Sequence, residues 1–213
     1  MKKTLLLMTS LVLTSMIPAL ADHHEEYVSL FDGKTLEGWK SNNEKPDCFT
    51  IVDGAIQVKG GRAHLFYDGK VNEGKFKNFE LKMKVKTTKG ANGGFYFHTE
   101  FQEKGWPEKG YECQINSTHS DDRKTGSLYG IQDVLKNAPS FDGEWFDYQI
   151  TVKGKNVKIA INGKQVVDYT EPENPERPDS FKGRLINEGT FAIQGHDPKS
   201  VTFLKDIKVK VLP

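Results

Sequence analysis

The chain has 213 residues, with 30 Lys+Arg against 29 Asp+Glu and a formal charge of +1. At 36% hydrophobic, 28% charged and 11% aromatic it is globular, with material for a sizeable core. Near-neutrality without a Lys/Arg block excludes the footprint of a nucleic-acid binder, and 2 Cys are too few for a disulfide scaffold or a four-cysteine zinc site.

The chain opens with Lys2 and Lys3, then an apolar run from Leu5 to Ile17, then Pro18-Ala19-Leu20-Ala21. This is the pattern of a secretory signal peptide over residues 1–21, with cleavage before Asp22. The apolar run is short for a membrane span, so none is expected after cleavage. Cleavage removes two lysines and no acid. It leaves 192 residues with 28 basic against 29 acidic groups, a charge of −1. The short leader looks bacterial, so the expected location is the periplasm, where Cys48 and Cys113 have the chance to pair. His23, His24 and Glu25 at the new N-terminus read as a loose tail.

Beyond the leader, apolar residues recur with period two, the sign of half-buried strands. Phe79, Leu81, Met83 and Val85 alternate with Glu80, Lys82, Lys84 and Lys86. Phe95 and Phe97 alternate with Tyr96, His98 and Glu100, and Tyr111, Cys113 and Ile115 with Glu112, Gln114 and Asn116. A short helix is expected over Ile131 to Asn137. Phe146 to Val152 and Val157 to Ile161 follow as strands, and Asn162-Gly163 marks a type I′ hairpin into Gln165–Tyr169. The Pro-rich segment Glu171 to Pro178 reads as a surface loop, and strands resume at 190–196 and 201–211. Many short strands with Gly-rich turns predict one all-β domain over residues 22–213, an antiparallel β-sandwich.

The two sandwich faces differ in character. Glu80 and its lysines read as ordinary solvation. Tyr96, His98 and Glu100, Glu112, Gln114 and Asn116, and Gln194 and His196 put titratable and hydrogen-bonding groups on one sheet face, as a polar ligand requires. The loop 116–129 adds His119, Lys124 and Tyr129, and Trp106 offers a sugar platform. A hairpin register that sets His98 beside Glu112 and Tyr96 beside Gln114 is expected. Retaining glycosidases need two carboxylates about 5 Å apart. Tyr111 to Asn116 supplies one, so paired-carboxylate hydrolysis is disfavoured. His98, Glu112 and His119 are candidate ligands for a divalent ion, at spacings that match no diagnostic motif.

Several segments in order resemble one family: YVSLFDGKTLEGW at 27–39, GANGGFYFHT at 90–99, GYECQINSTH at 110–119, KTGSLY at 124–129, GEW at 143–145, NG at 162–163, GRL at 183–185 and GTFAIQGHDPKS at 189–200. Together they resemble the 3-keto-disaccharide hydrolase domain family. That resemblance implies a concanavalin A-like jelly roll of the lectin/glucanase type and a 3-keto-glycoside as substrate. A ketone at C3 acidifies the C2–H, so a base can remove that proton and the C1–O bond then breaks by β-elimination, with or without rehydration. The residues implied for this chemistry are His98 or His119 as base, Glu112 as orienter or metal ligand, and Lys124, Gln114 or a bound cation at the enolate oxygen. Tyr96, Glu100, Trp106, Asn116, Tyr129, Gln194, His196 and Asp197 are implied as sugar contacts. Where many members carry Arg at the end of the G-x-x-F strand, this chain has His98. A noncatalytic, lectin-like carbohydrate-binding module is the alternative on the same fold.

Overall fold

The computed structural model describes residues 26–213; the predicted signal peptide and the segment His23 to Glu25 lie outside the described residues. Thirteen strands form among them: β1 Val28–Ser29, β2 Trp39–Ser41, β3 Phe49–Val52, β4 Ala55–Lys59, β5 Ala63–Tyr67, β6 Phe79–Thr87, β7 Gly93–Thr99, β8 Tyr111–Ile115, β9 Phe146–Lys153, β10 Asn156–Ile161, β11 Lys164–Thr170, β12 Thr190–Gly195 and β13 Val201–Val211. One sheet runs β11-β10-β9-β6-β13-β4-β3, with β1 also on β13; the other runs β2-β5-β12-β7-β8. Every pairing is antiparallel. The result is the predicted sandwich, because period-two strands bury one face each and two such faces close a core.

The core is the apolar register read from the sequence. Phe79, Leu81, Met83 and Val85 on β6 are buried, as are Phe95 and Phe97 on β7 and Phe191 and Ile193 on β12. Phe191 stacks on Phe76 at 4.3 Å and meets Phe79 edge-on at 5.0 Å. Truncating so enclosed a ring costs about 3–5 kcal/mol. Asn162 and Gly163 have φ of 49° and 76°, the positive pair that a type I′ hairpin demands. Cys48 and Cys113 are both buried and unpaired.

Three local expectations fail. Residues 131–137 form turns and isolated bridges, Arg123 with Leu135 and Leu128 with Gln132, instead of a helix. The β7–β8 register pairs Tyr96 with Glu112 and Gly94 with Gln114, two residues off the expected pairing. The alternation on β7 also breaks after Tyr96. The β12 pairing shifts there, and His98 takes φ of 56°, a left-handed conformation that His tolerates better than most side chains. This bulge sends the His98 ring to Phe97 and Phe79, at 5.0 and 5.9 Å, away from the polar face.

On the larger sheet the polar side is solvated, as expected, with Lys84 paired to Asp147 at 2.8 Å in the open. The smaller sheet behaves differently. Both faces of β5, β7 and β8 are buried, because the loops after β7, β8 and β11 fold over its polar side. That covered face holds the site.

Candidate active site

Strand alternation places Tyr96, Glu112, Gln114 and Gln194 on the covered face, in two neighbouring rows across β12, β7 and β8. With Asn92, Trp106, Tyr129, Arg184 and His196 they line a cavity of about 360 Å³, the size of a small-ligand site.

Glu112 anchors its floor at 5% exposure. Its Oε2 accepts from the Tyr96 hydroxyl at 2.8 Å and from Arg184 Nη2 at 3.2 Å; its Oε1 accepts from Gln194 Nε2 at 2.8 Å. Gly94 makes room for this carboxylate, since a Cβ there would sit 2.8 Å from Glu112 Oε1. Burial, then the Glu112 charge, holds the Tyr96 phenol well above its ordinary pKa, so it stays a proton donor. The donors around Glu112 are a phenol, an amide and a guanidinium. This is not the paired-carboxylate arrangement of a retaining glycosidase. The other carboxylate lining the cavity, Glu108, is exposed in the loop after β7.

At the end of β12, His196 and Asp197 form a dyad, Nδ1 to Oδ2 at 3.0 Å. Burial opposes the Asp197 charge. The Ser200 hydroxyl, His196 and the Lys199 N–H outweigh it and hold the carboxyl below the usual carboxylate range. An ionised carboxylate only accepts, so His196 Nδ1 carries the proton and a neutral ring has its lone pair on Nε2. Asn92 Nδ2 lies 3.4 Å from that Nε2 and 3.3 Å from His119 Nδ1. His119 has the opposite tautomer. Its Nδ1 accepts the Asp121 N–H at 3.1 Å, so its Nε2 carries the proton. The two rings lie 5.6 Å apart.

His119, His196 and Asp197 are close enough together to suggest a metal centre. The donor set argues against it. Asp197 Oδ1 takes the Lys199 and Ser200 N–H groups, and Oδ2 takes His196 and the Ser200 hydroxyl. His119 Nδ1 is likewise occupied. The predicted trio His98, Glu112 and His119 does not assemble, because His98 lies on the other side of β7.

Trp106 roofs the cavity, 5.4 Å from the His196 ring and 5.6 Å from His64. Tyr129 lines it and donates to Asp121 Oδ2 at 3.1 Å. His119 and Asp197 back the lining residues Asn92 and His196 without lining the cavity themselves, and four predicted residues lie elsewhere. His98 is buried behind the sheet, bonded to the Lys77 carbonyl at 2.9 Å and the Asn187 N–H at 3.2 Å, and burial lowers its pKa to about 4. Glu100 is exposed and paired with Lys109 at 2.7 Å. Lys124 donates to the His119 and Asp121 carbonyls at 2.6 and 2.7 Å, so it shapes the loop and does not reach the cavity. Asn116 does the same, holding the Asp121 and Arg123 carbonyls and accepting the His119 N–H. These last two position His119.

Sequence reasoning missed Arg184, Asn92 and His64. Arg184 arrives on the loop after β11, which Glu171 and Arg177 pin down. Glu171 accepts from the Tyr111 hydroxyl and the Ile186 N–H, and Arg177 donates to Tyr111, Tyr169 and the Arg184 carbonyl. Among the described residues, buried side-chain atoms without partners occur on Asn92, Gln114, Arg184 and Gln194, all lining this cavity, and on His64 and Thr99. Such atoms are rare in folded proteins, and their concentration around one cavity sets it apart from the rest of the fold.

Residues 26–210 match the 3-keto-alpha-glucoside-1,2-lyase-like domain family. The chain belongs to this family. A 3-keto-disaccharide hydrolase of Bacteroides thetaiotaomicron is 34% identical over 171 residues, 67% of this chain and 58% of the relative, so the chain spans little more than half that protein's length. A proposed glycosyl hydrolase of Parabacteroides distasonis superposes with a TM-score of 0.73 at 24% identity, covering 88% of this chain and 94% of that one. A carbohydrate-binding module of Bacillus subtilis superposes at 0.56 and 12% identity, covering 81% and 95%. These two likenesses establish the sandwich. Two of the segments that carried the family resemblance, Gly183 to Leu185 and Gly90 to Thr99, contain Arg184 and Asn92 and were the available signal for them.

Proposed function

We propose that this chain is an exported carbohydrate-active enzyme that cleaves 3-keto-glycosides by removing the C2 proton and expelling the C1 substituent. Membership of the lyase-like family and the named relative support the substrate class, and the signal-peptide pattern supports export. The observation that carries the chemistry is the His196–Asp197 dyad at a cavity floored by a carboxylate, a phenol and amides.

In this reading His196 Nε2 is the general base, with Asp197 fixing its tautomer. The C2–H electron pair becomes part of an enolate, which collapses to break C1–O. His119 serves the leaving oxygen through its Nε2–H, and water supplies the proton that the alcohol carries away. Water added across the resulting C1=C2 bond gives net hydrolysis. Tyr96 and Gln194, both oriented by Glu112, hold sugar hydroxyls, and Trp106 and Tyr129 cover the ring faces.

The test is incubation with a 3-keto-α-glucoside and with its unoxidised parent, followed by NMR, with and without chelator. The expected result is turnover of the ketone alone, undiminished by chelator. Binding without turnover favours the carbohydrate-binding module. Equal cleavage of the parent overturns the elimination route.

A further inference from the structure

An enolate needs a positive or strongly donating partner at its oxygen. Lys124 is held by two carbonyls of its own loop and is out of reach. Among the residues lining the cavity, one cation stands on its wall: Arg184. We infer that Arg184 is a catalytic residue, whose guanidinium binds the C3 oxygen of the keto sugar and stabilises the enolate. This rests on the elimination reading above.

Four features support it. Arg184 is 8% exposed, so its charge acts in a water-poor setting. Its Nη2 bonds Glu112 Oε2 at 3.2 Å, whereas its Nη1 has no partner. The plane is braced by the Phe181 and Tyr129 rings, 4.5 and 5.6 Å from the guanidinium carbon. The backbone carbonyl of Arg184 is clamped by Arg177 at 3.0 Å. A donor braced in this way reorganises little as charge develops. The fork geometry also lets one guanidinium hold a carboxylate and an oxyanion at once, which a lysine ammonium cannot reproduce.

In the step, the C2–H bond breaks and its proton passes to His196 Nε2. Its electron pair forms the C2=C3 bond, and the carbonyl π pair moves onto the C3 oxygen, beside Arg184. Collapse restores the C3 carbonyl, forms C1=C2 and releases the C1 oxygen, which takes a proton from water; the hydroxide left behind takes the proton held on His196, which returns that ring to its neutral form.

The experiment measures C2 proton-deuterium exchange in D2O, together with cleavage and parent-glucoside binding, in the wild type, Arg184→Lys and Arg184→Met. Thermal unfolding confirms folding, and Glu112→Gln alone measures what loss of that carboxylate costs, so that Arg184→Met/Glu112→Gln compared with it isolates the effect of Arg184 without an orphaned charge. The inference predicts that exchange and kcat fall roughly 100- to 1,000-fold, the usual loss for an oxyanion donor. Parent-glucoside binding should fall by less than kcat does, because the unoxidised sugar forms no enolate, and added guanidinium should restore part of the exchange to Arg184→Met. Wild-type exchange that persists in folded Arg184 variants overturns the role of Arg184 while leaving the elimination reading intact. A wild type that neither exchanges nor cleaves the keto sugar overturns the elimination reading, and this inference with it.

Discussion

Three histidines illustrate how much depends on what each ring touches. His196 is backed by an ionised Asp197 and lines the cavity. His196→Asn should lower turnover of the keto sugar roughly 100- to 10,000-fold, the range for a lost general base, with little change in thermal stability. His98 and His64 are held neutral, since burial lowers both to about 4. The unfolded chain takes up these protons near pH 6.5, before the native state does. Their contribution is therefore complete above pH 6.5 and declines as pH falls toward 4, by up to roughly 3 kcal/mol each. Urea midpoints between pH 7.5 and 4.5 should fall accordingly, and His98→Asn should flatten the slope. Because His98 lies behind the sheet, that variant should keep its per-molecule activity within about twofold while losing roughly 2 kcal/mol of packing.

At the scale of elements, two local breaks in regularity shape the site. The bulge at His98 ends the alternation after Tyr96 and turns the strand end into the core. Gly94 lacks the Cβ that would strike Glu112. Gly94→Ala should push the carboxylate off Tyr96 and Gln194 and reduce kcat/KM at least about tenfold, a displacement effect of the size expected when positioning is lost. The fold should survive, since φ at Gly94 is not in the left-handed region. A stability loss that matches the activity loss would count against this account. The Glu112 face was legible from alternation, because a shift of two residues preserves facing and changes only the partner. His98 was not legible, because a single positive φ has no period.

At the scale of the whole molecule, three loops turn a half-solvated sheet into a covered one, and the loop after β11 is the decisive piece. Its Pro-rich start reads as plain surface, yet Arg177 and Glu171 tie it to Tyr111 and thereby carry Arg184 to Glu112. Arg177→Ala should lower stability by about 3 kcal/mol, as for one partner removed from a buried pair, and should lower turnover further than thermal unfolding explains. The sequence by itself determined the all-β class, the core register, the Asn162-Gly163 hairpin and the polar face bearing Glu112, Gln114 and Gln194. Each of these follows from period-two burial or from turn chemistry, which are local. Tertiary structure alone decided that His98, Glu100, Lys124 and Asn116 stay out of the cavity and that Arg184 and Asn92 line it. Those outcomes depend on a bulge, on loop hydrogen bonds and on contacts between residues 72 apart, as in Arg184–Glu112. Such long-range pairing is set by how the sheets and loops close together, and no local pattern encodes it.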